Sequence, residues 1–156
     1  MPVLYLSADK LTFASLMARI LAVDYGLKRT GIAVTDPLQI IASGLPTVET
    51  KNLFEFFEHY LKSEIVDVVV VGKPMQMNNT ASETEPEIKT FINKLQQKYK
   101  ELKIERYDER FTSKIALQTI AASGLKKKDR QNKSLADKVS ATLILQSYLE
   151  FKNNKF

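Results

Sequence analysis

The stretch Ile20-Leu21-Ala22-Val23-Asp24-Tyr25-Gly26-Leu27-Lys28-Arg29-Thr30-Gly31-Ile32-Ala33-Val34 decides how the rest of the chain is read. Residues 20–23 and 31–34 are short apolar runs of strand character, separated by a glycine-containing turn at 25–29. A parallel crossover needs a dozen or more residues, so these two strands are expected to pair antiparallel. A weaker third strand is expected within residues 40–48, interrupted by Gly44 and Pro46. Side chains alternate along a strand, so Asp24 ends the first strand on the same face as Ile20 and Ala22.

After this meander the apolar period changes from two to 3.6. Leu53, Phe56, Phe57, Tyr60 and Leu61 recur at helical spacing, with Thr50 as the expected cap. Residues 66–71, Val-Asp-Val-Val-Val-Val, have the composition of a strand covered on both faces. Thr84-x-x-Glu87 reads as a capping box with Pro86 in the first turn, opening a helix whose buried stripe is Ile88, Phe91, Ile92, Leu95 and Tyr99. A further strand is expected at 104–107, a helix at 112–123 stopped by Gly124, and a last helix capped by Ser134 and running to about Phe151. The order β-β-β-α-β-α-β-α-α implies a mixed five-stranded sheet with helices on its faces, the order of a ribonuclease H-like core.

A chain of 156 residues fits one domain and can bury roughly 70% of its unfolded surface without disulfides. Cysteine is absent and His59 is the only histidine, which excludes thiol chemistry, zinc fingers and a histidine-rich transition-metal site. No apolar run approaches the ~20 residues of a membrane span, and residues 1–16 lack a secretory pattern. They are expected to form a loosely attached extension, ahead of one domain at 17–151 and a tail at 152–156.

Charge is unevenly distributed. Residues 1–97 carry nine basic and eleven acidic side chains, whereas residues 98–156 carry fourteen and seven. The excess is densest at Lys126-Lys127-Lys128-Asp129-Arg130-Gln131-Asn132-Lys133. Such a field attracts polyanions, although a solvated lysine-rich loop has the same composition.

Three acids stand out against this background. An acid on the buried face of a strand is costly without compensation, which marks Asp24; the alternative is a turn aspartate bonding its own backbone. Asp108-Glu109 follows a strand where open α/β sheets place their ligands, and alternation cannot choose between the two. Asp137 shares a helical stripe with Ala141, Ile144 and Tyr148, predicting an inward carboxylate, while Ser134-x-x-Asp137 as a capping box predicts an outward one. Small Ser140 and Ala141 beside it would let the helix approach the sheet closely. Carboxylates from separate elements suit a hard cation such as Mg²⁺ and its phosphate ligands.

In order along the chain, Asp24-x-Gly26-x-x-Arg29-x-Gly31, Val70-Val71-Gly72-Lys73-Pro74-Met75, Asp108-Glu109-Arg110-Phe111-Thr112-Ser113, a basic loop and Asp137-Lys138-Val139-Ser140-Ala141 resemble the motifs of the YqgF family. These are Holliday-junction-resolvase-like nucleases assigned to maturation of the small-subunit ribosomal RNA precursor in bacteria. The resemblance covers residues 17–151 and implies a ribonuclease H-like fold, with an acidic triad at Asp24, Glu109 and Asp137 holding Mg²⁺, or Mn²⁺ in its place. It implies nucleic-acid contacts from Arg29 and Arg110, with Lys73 as an additional cation; the basic loop adds Lys126, Lys127, Lys128, Arg130 and Lys133. The sequence departs from the family pattern at Lys73, Asn79 and Ser140, none of which is a proposed ligand. The implied partner is structured RNA or branched DNA, with pre-ribosomal particles and no membrane, for a cytoplasmic monomer or homodimer. The alternatives are a Holliday junction DNA resolvase and a non-catalytic RNA-binding factor of ribosome biogenesis.

Overall fold

The computed structural model describes residues 18–76, 82–109 and 133–154, the first four of the last segment by backbone alone. Strands β1 (Arg19–Asp24) and β2 (Arg29–Thr35) pair antiparallel as the opening stretch requires, with Asp24 opposite Gly31. Strand β3 (Ala42–Glu49) extends the meander on β2. Pro46 is tolerated there because β3 is an edge strand, whose outer side needs no N–H donor. On the other side of β1 lies β4 (Val66–Lys73), parallel to it, and β5 (Lys103–Asp108) lies parallel to β4. The sheet order is β3-β2-β1-β4-β5, which puts β1 at the centre.

Alternation along the strands sorts the core into two layers. Leu21, Val23, Ile32, Val69 and Val71 pack with Leu53 and Phe57 of α1 (Leu53–Ser63) and with Ile88, Phe91 and Leu95 of α2 (Glu85–Lys98). Ile20, Ala22, Ala33, Val68 and Val70 face the other way, onto Ala141, Ile144, Leu145, Tyr148 and Leu149 of α3 (Lys133–Asn153). Burying a large aliphatic or aromatic side chain contributes about 1.5–3 kcal/mol, so both faces are needed to hold the sheet. The result is the α/β architecture expected from the element order, with helices on both faces and the carboxyl ends of β1, β4 and β5 at one edge.

The helix starts differ from expectation. Thr50 does not cap α1: it lies in a 3-10 turn, Thr50–Asn52, and its hydroxyl donates to the Gly26 carbonyl at 2.6 Å while lying 2.9 Å from the Thr30 hydroxyl. A buried threonine and an unpaired turn carbonyl outcompete a helix end that water can solvate. Thr84 precedes α2, but its side chain makes no cap bond and instead meets the Ser82 hydroxyl at 3.0 Å, so the expected capping box is not formed. Ser134 lies within α3, which continues to Asn153. The helix expected at 112–123 and its Gly124 stop, together with residues 1–16 and Asn79, lie outside the described residues. His59 is exposed on α1 with Glu55 3.9 Å away. Among the described residues no helix is long and apolar enough to cross a membrane.

Candidate active site

Asp24 is the last residue of β1, on the layer that faces α3. Its cross-strand neighbour is Gly31, and that glycine is required by α3. A Cβ on Gly31 would run into the Asp137 carbonyl oxygen, with the Ala141 methyl 3.4 Å away. The missing side chain therefore admits the N-terminal part of α3, and Asp137 arrives near Asp24 on the inward side, as the apolar stripe predicted. Its carboxylate accepts a hydrogen bond from Arg29 Nε at 3.2 Å, the guanidinium standing at the start of β2.

The third acid comes from the end of β5. Asp108 is in register with Lys73, and the next backbone N–H, that of Glu109, donates to the Lys73 carbonyl at 3.1 Å. This carries Glu109 over Gly72, where a Cβ would collide with its Oε1 and come within 2.9 Å of Ile144 Cδ1. Glu109 thus reaches Asp24, and the two carboxyl groups share a hydrogen bond. Of the two acids between which alternation does not choose, Glu109 is the one that meets Asp24.

Electrostatics follow from this packing. Asp24 is pushed well above the ordinary aspartate range, first by burial, then by the charge of Glu109 and the hydrogen bond to it, and finally by Asp137. Glu109 is also raised, chiefly by burial with Asp108 adding to it, while the hydrogen bond from Asp24 and the positive charge of Arg106 pull the other way. The two carboxyls titrate as a pair, and with both raised the pair retains a proton above the ordinary carboxylate range. Two carboxyl groups in one desolvated place need a proton or a cation between them.

The donor set fits a hard divalent cation: it is all oxygen and half-buried, and Arg29 at Asp137 and Arg106 near Glu109 offset only part of its negative charge. Among the described residues no three acidic or histidine side chains converge into a ready cage. The contact pair is Asp24 and Glu109, with Asp137 acting on Asp24 through its charge while bonded to Arg29. Two or three carboxylates with water completing the shell is an arrangement Mg²⁺ accepts.

Of the basic residues expected at the site, Arg29 lies at it through Asp137, and Lys73 ends β4, where its charge reaches Glu85. Arg110, Lys126, Lys127, Lys128 and Arg130 lie outside the described residues, as does the side chain of Lys133 at the start of α3. Arg106 was not anticipated. Its guanidinium pairs with both oxygens of Glu85, the first residue of α2, and donates to the carbonyls of Val71 at 3.3 Å and Gly72 at 3.1 Å. It thereby fixes the end of β4 over which Glu109 lies. The available signal was alternation, since Arg106 shares the face of interior Ile104, and an inward arginine requires a buried acid.

Comparison with known proteins adds three findings. Residues 18–151 match the family described as RuvX: Holliday junction resolvase. The chain is 57% identical over 136 residues to a protein of Phocaeicola vulgatus named "Putative pre-16S rRNA nuclease", covering 87% of this chain and 98% of that one. Proteins of the same name from Bacteroides fragilis and Porphyromonas gingivalis are 54% and 50% identical, covering 87% and 86% of this chain and 99% and 97% of theirs. Among solved structures, T. thermophilus RuvC in complex with Holliday junction substrate superposes with a TM-score of 0.53 at 15% identity, over 86% of this chain and 96% of that one. The structural likeness establishes a shared fold.

Proposed function

The chain belongs to the RuvX family, and on that footing we propose that it is an endonuclease that hydrolyses phosphodiesters of precursor 16S ribosomal RNA, with Asp24, Glu109 and Asp137 as its catalytic acids. The observation that carries the assignment of the site is the half-buried, hydrogen-bonded Asp24–Glu109 pair at the carboxyl ends of β1 and β5, beside Asp137. In the hydrolysis, water attacks phosphorus, the P–O bond to the departing sugar oxygen breaks, and that oxygen takes up a proton. Mg²⁺, or Mn²⁺ in its place, held by the three acids would supply an activated water and stabilise the leaving oxygen. The protein's own contribution is to hold oxygen donors together at the carboxyl ends of β1 and β5, half-shielded from water, with Arg29 bonded to Asp137. Arg29, bonded to Asp137, is proposed to take a phosphate oxygen at the acids, and Lys73, at the end of β4 on the side of Glu85, to take one beyond them. Arg110, Lys126, Lys127, Lys128, Arg130 and Lys133 are proposed to extend that contact along the substrate. We place the protein in the cytoplasm on pre-ribosomal particles, as a monomer or homodimer.

A four-way DNA junction is the second reading, favoured by the family description and by the RuvC neighbour, which holds such a junction. Cleavage of a precursor 16S rRNA fragment and of a four-way junction, side by side with Mg²⁺, separates the two. Asp24→Asn, Glu109→Gln and Asp137→Asn should each lower turnover by orders of magnitude while circular dichroism stays unchanged. Asp108→Asn should cost less than Glu109→Gln. Wild-type cleavage by Glu109→Gln would overturn the assignment of the acids.

A further inference from the structure

Adjacent residues of a strand point to opposite faces, so the site has a second side. Asp24 faces α3, whereas Tyr25 faces the other layer, where its ring centroid lies 5.9 Å from that of Phe91. Two open hollows border this region and share Lys51. One, of about 490 Å³, is walled by Lys28 of the β1–β2 turn, Arg29 at the start of β2 and Glu49. The other, of about 390 Å³, lies between the starts of α1 and α2, with Tyr25 and Phe54 in its wall and Lys94 at its rim. Arg29 also touches Asp137; Lys28, Arg29 and Lys51 border the first hollow, and Lys51 and Lys94 border the second, so cations lead from the acids to the groove between the helices.

Cations outnumber acids along this line. Glu49 meets Lys51 at 3.1 Å, but both side chains are exposed, and such a pair yields readily to a phosphate. Glu87 is the acid of the second hollow. Lys94 Nζ stands 4.3 Å and Lys98 Nζ 5.5 Å from the centroid of the Phe54 ring, so a base that stacks there takes the place of an ammonium group, which is then released to a phosphate. A backbone-tracking line of cations with aromatic faces beside it is what binds single-stranded nucleic acid, because phosphates are evenly spaced and every base has a flat face to stack.

We propose that this line is a track for an unpaired strand of the substrate, with phosphates following Arg29, Lys28, Lys51 and Lys94 and a base against Tyr25 and Phe54. It rests on the nucleic-acid reading above and adds to it a contact surface on the opposite layer from α3. A strand laid across this edge would pass the acids and then be held beyond them, so cleavage would fall near a junction of paired and unpaired segments.

Fluorescence anisotropy of a labelled twelve-nucleotide single-stranded RNA, titrated at several salt concentrations with the full-length protein, tests this. In the Lys51→Ala, Lys94→Ala double variant the slope of log K against log salt should fall by about 1.4, at about 0.7 per single-strand phosphate contact. Phe54→Leu, which keeps an apolar side chain in the wall, should weaken binding by about five-fold or more, the low end of base–aromatic stacking. An unchanged slope in the lysine variant overturns the track, and an unchanged melting temperature confirms that the variant is folded. Cleavage by the wild type is measured alongside. A wild type that cuts, paired with a lysine variant that binds normally, sinks the track alone. A wild type that cuts neither RNA nor junction, but whose binding depends on Lys51 and Lys94, sinks the nuclease reading alone.

Discussion

Gly31→Ala tests whether the closeness of α3 to β2 is what assembles the acids. Gly31 lies within β2, and its backbone is not in the left-handed region, so alanine is conformationally acceptable there. At an unobstructed position the change would stabilise the protein by about 0.4–1 kcal/mol, because the unfolded chain loses freedom. Here the new Cβ would meet the Asp137 carbonyl oxygen, a backbone atom that no rotamer change can remove, with Ala141 Cβ behind it at 3.4 Å. Helix α3 must therefore lift. It also carries Ile144, Leu145, Tyr148 and Leu149 into the sheet, so the strain spreads through that whole layer.

Overpacking of this kind costs about 1–3 kcal/mol, which exceeds the gain from alanine and leaves a net loss of about 1–2 kcal/mol. Urea unfolding should show a lower midpoint with an unchanged slope. Because the lift moves Asp137 away from Asp24, cleavage should fall much further than stability does; a misplacement of about 1 Å is worth on the order of 10²-fold in rate. A Gly31→Ala protein that is as stable as the wild type, or more so, and that cuts at the wild-type rate would refute the close-approach explanation of this glycine.

Two further predictions concern the charges. Asp24 is raised in the folded protein above its ordinary 3.8, so between those two values the folded state binds more protons than the unfolded one, and stability falls as pH rises through that window. In chelator-treated buffer Asp24→Asn should melt higher than the wild type near pH 8, with the difference vanishing below about pH 4; equal melting temperatures near pH 8 would contradict the burial of this carboxyl. Glu85 is held below its ordinary 4.5, first by the hydrogen bond from Arg106, so it stabilises the fold above that value and the contribution disappears as pH falls through the lowered one. Glu85→Gln should cost about 2 kcal/mol at pH 7, less than a fully buried pair because the Arg106 side chain is one-quarter exposed, and much less near pH 2, as read by urea unfolding. No loss at pH 7 would show that the pair does not hold α2 to the sheet.

Much of the sheet was legible because its signals are local. Residues 20–34 carry both strands and the turn, and alternation alone predicted that Asp24 would face the layer of Ile20 and Ala22. Asp137 was legible for the same reason on a helix, through its stripe with Ala141, Ile144 and Tyr148. Thr50 was misread because its competing partners, the Gly26 carbonyl and Thr30, are more than twenty and exactly twenty positions away in the chain, beyond the reach of a capping rule. Arg106 was missed for a related reason: its role depends on Glu85 and on two carbonyls of β4, none of which a strand pattern identifies.

That Glu109 and not its neighbour meets Asp24 shows where local reading ends. Side-chain alternation puts the two acids on opposite faces but cannot say which face is interior at the end of an edge strand, where the apolar pattern has run out. Register decides it: Asp108 pairs with Lys73, the ladder extends one residue to the Glu109 N–H, and Gly72 leaves space above the neighbouring strand for the Glu109 carboxyl. The glycine lies 37 positions before the acid it accommodates, just as Gly31 precedes the Asp137 it admits by more than a hundred. Glu109 and Asp137 are thus each brought to Asp24 by a glycine on a different strand. The desolvation that raises Asp24 and Glu109 comes from the same close packing, so the groups that build the site are also those that make its charge uncomfortable without a proton or a cation.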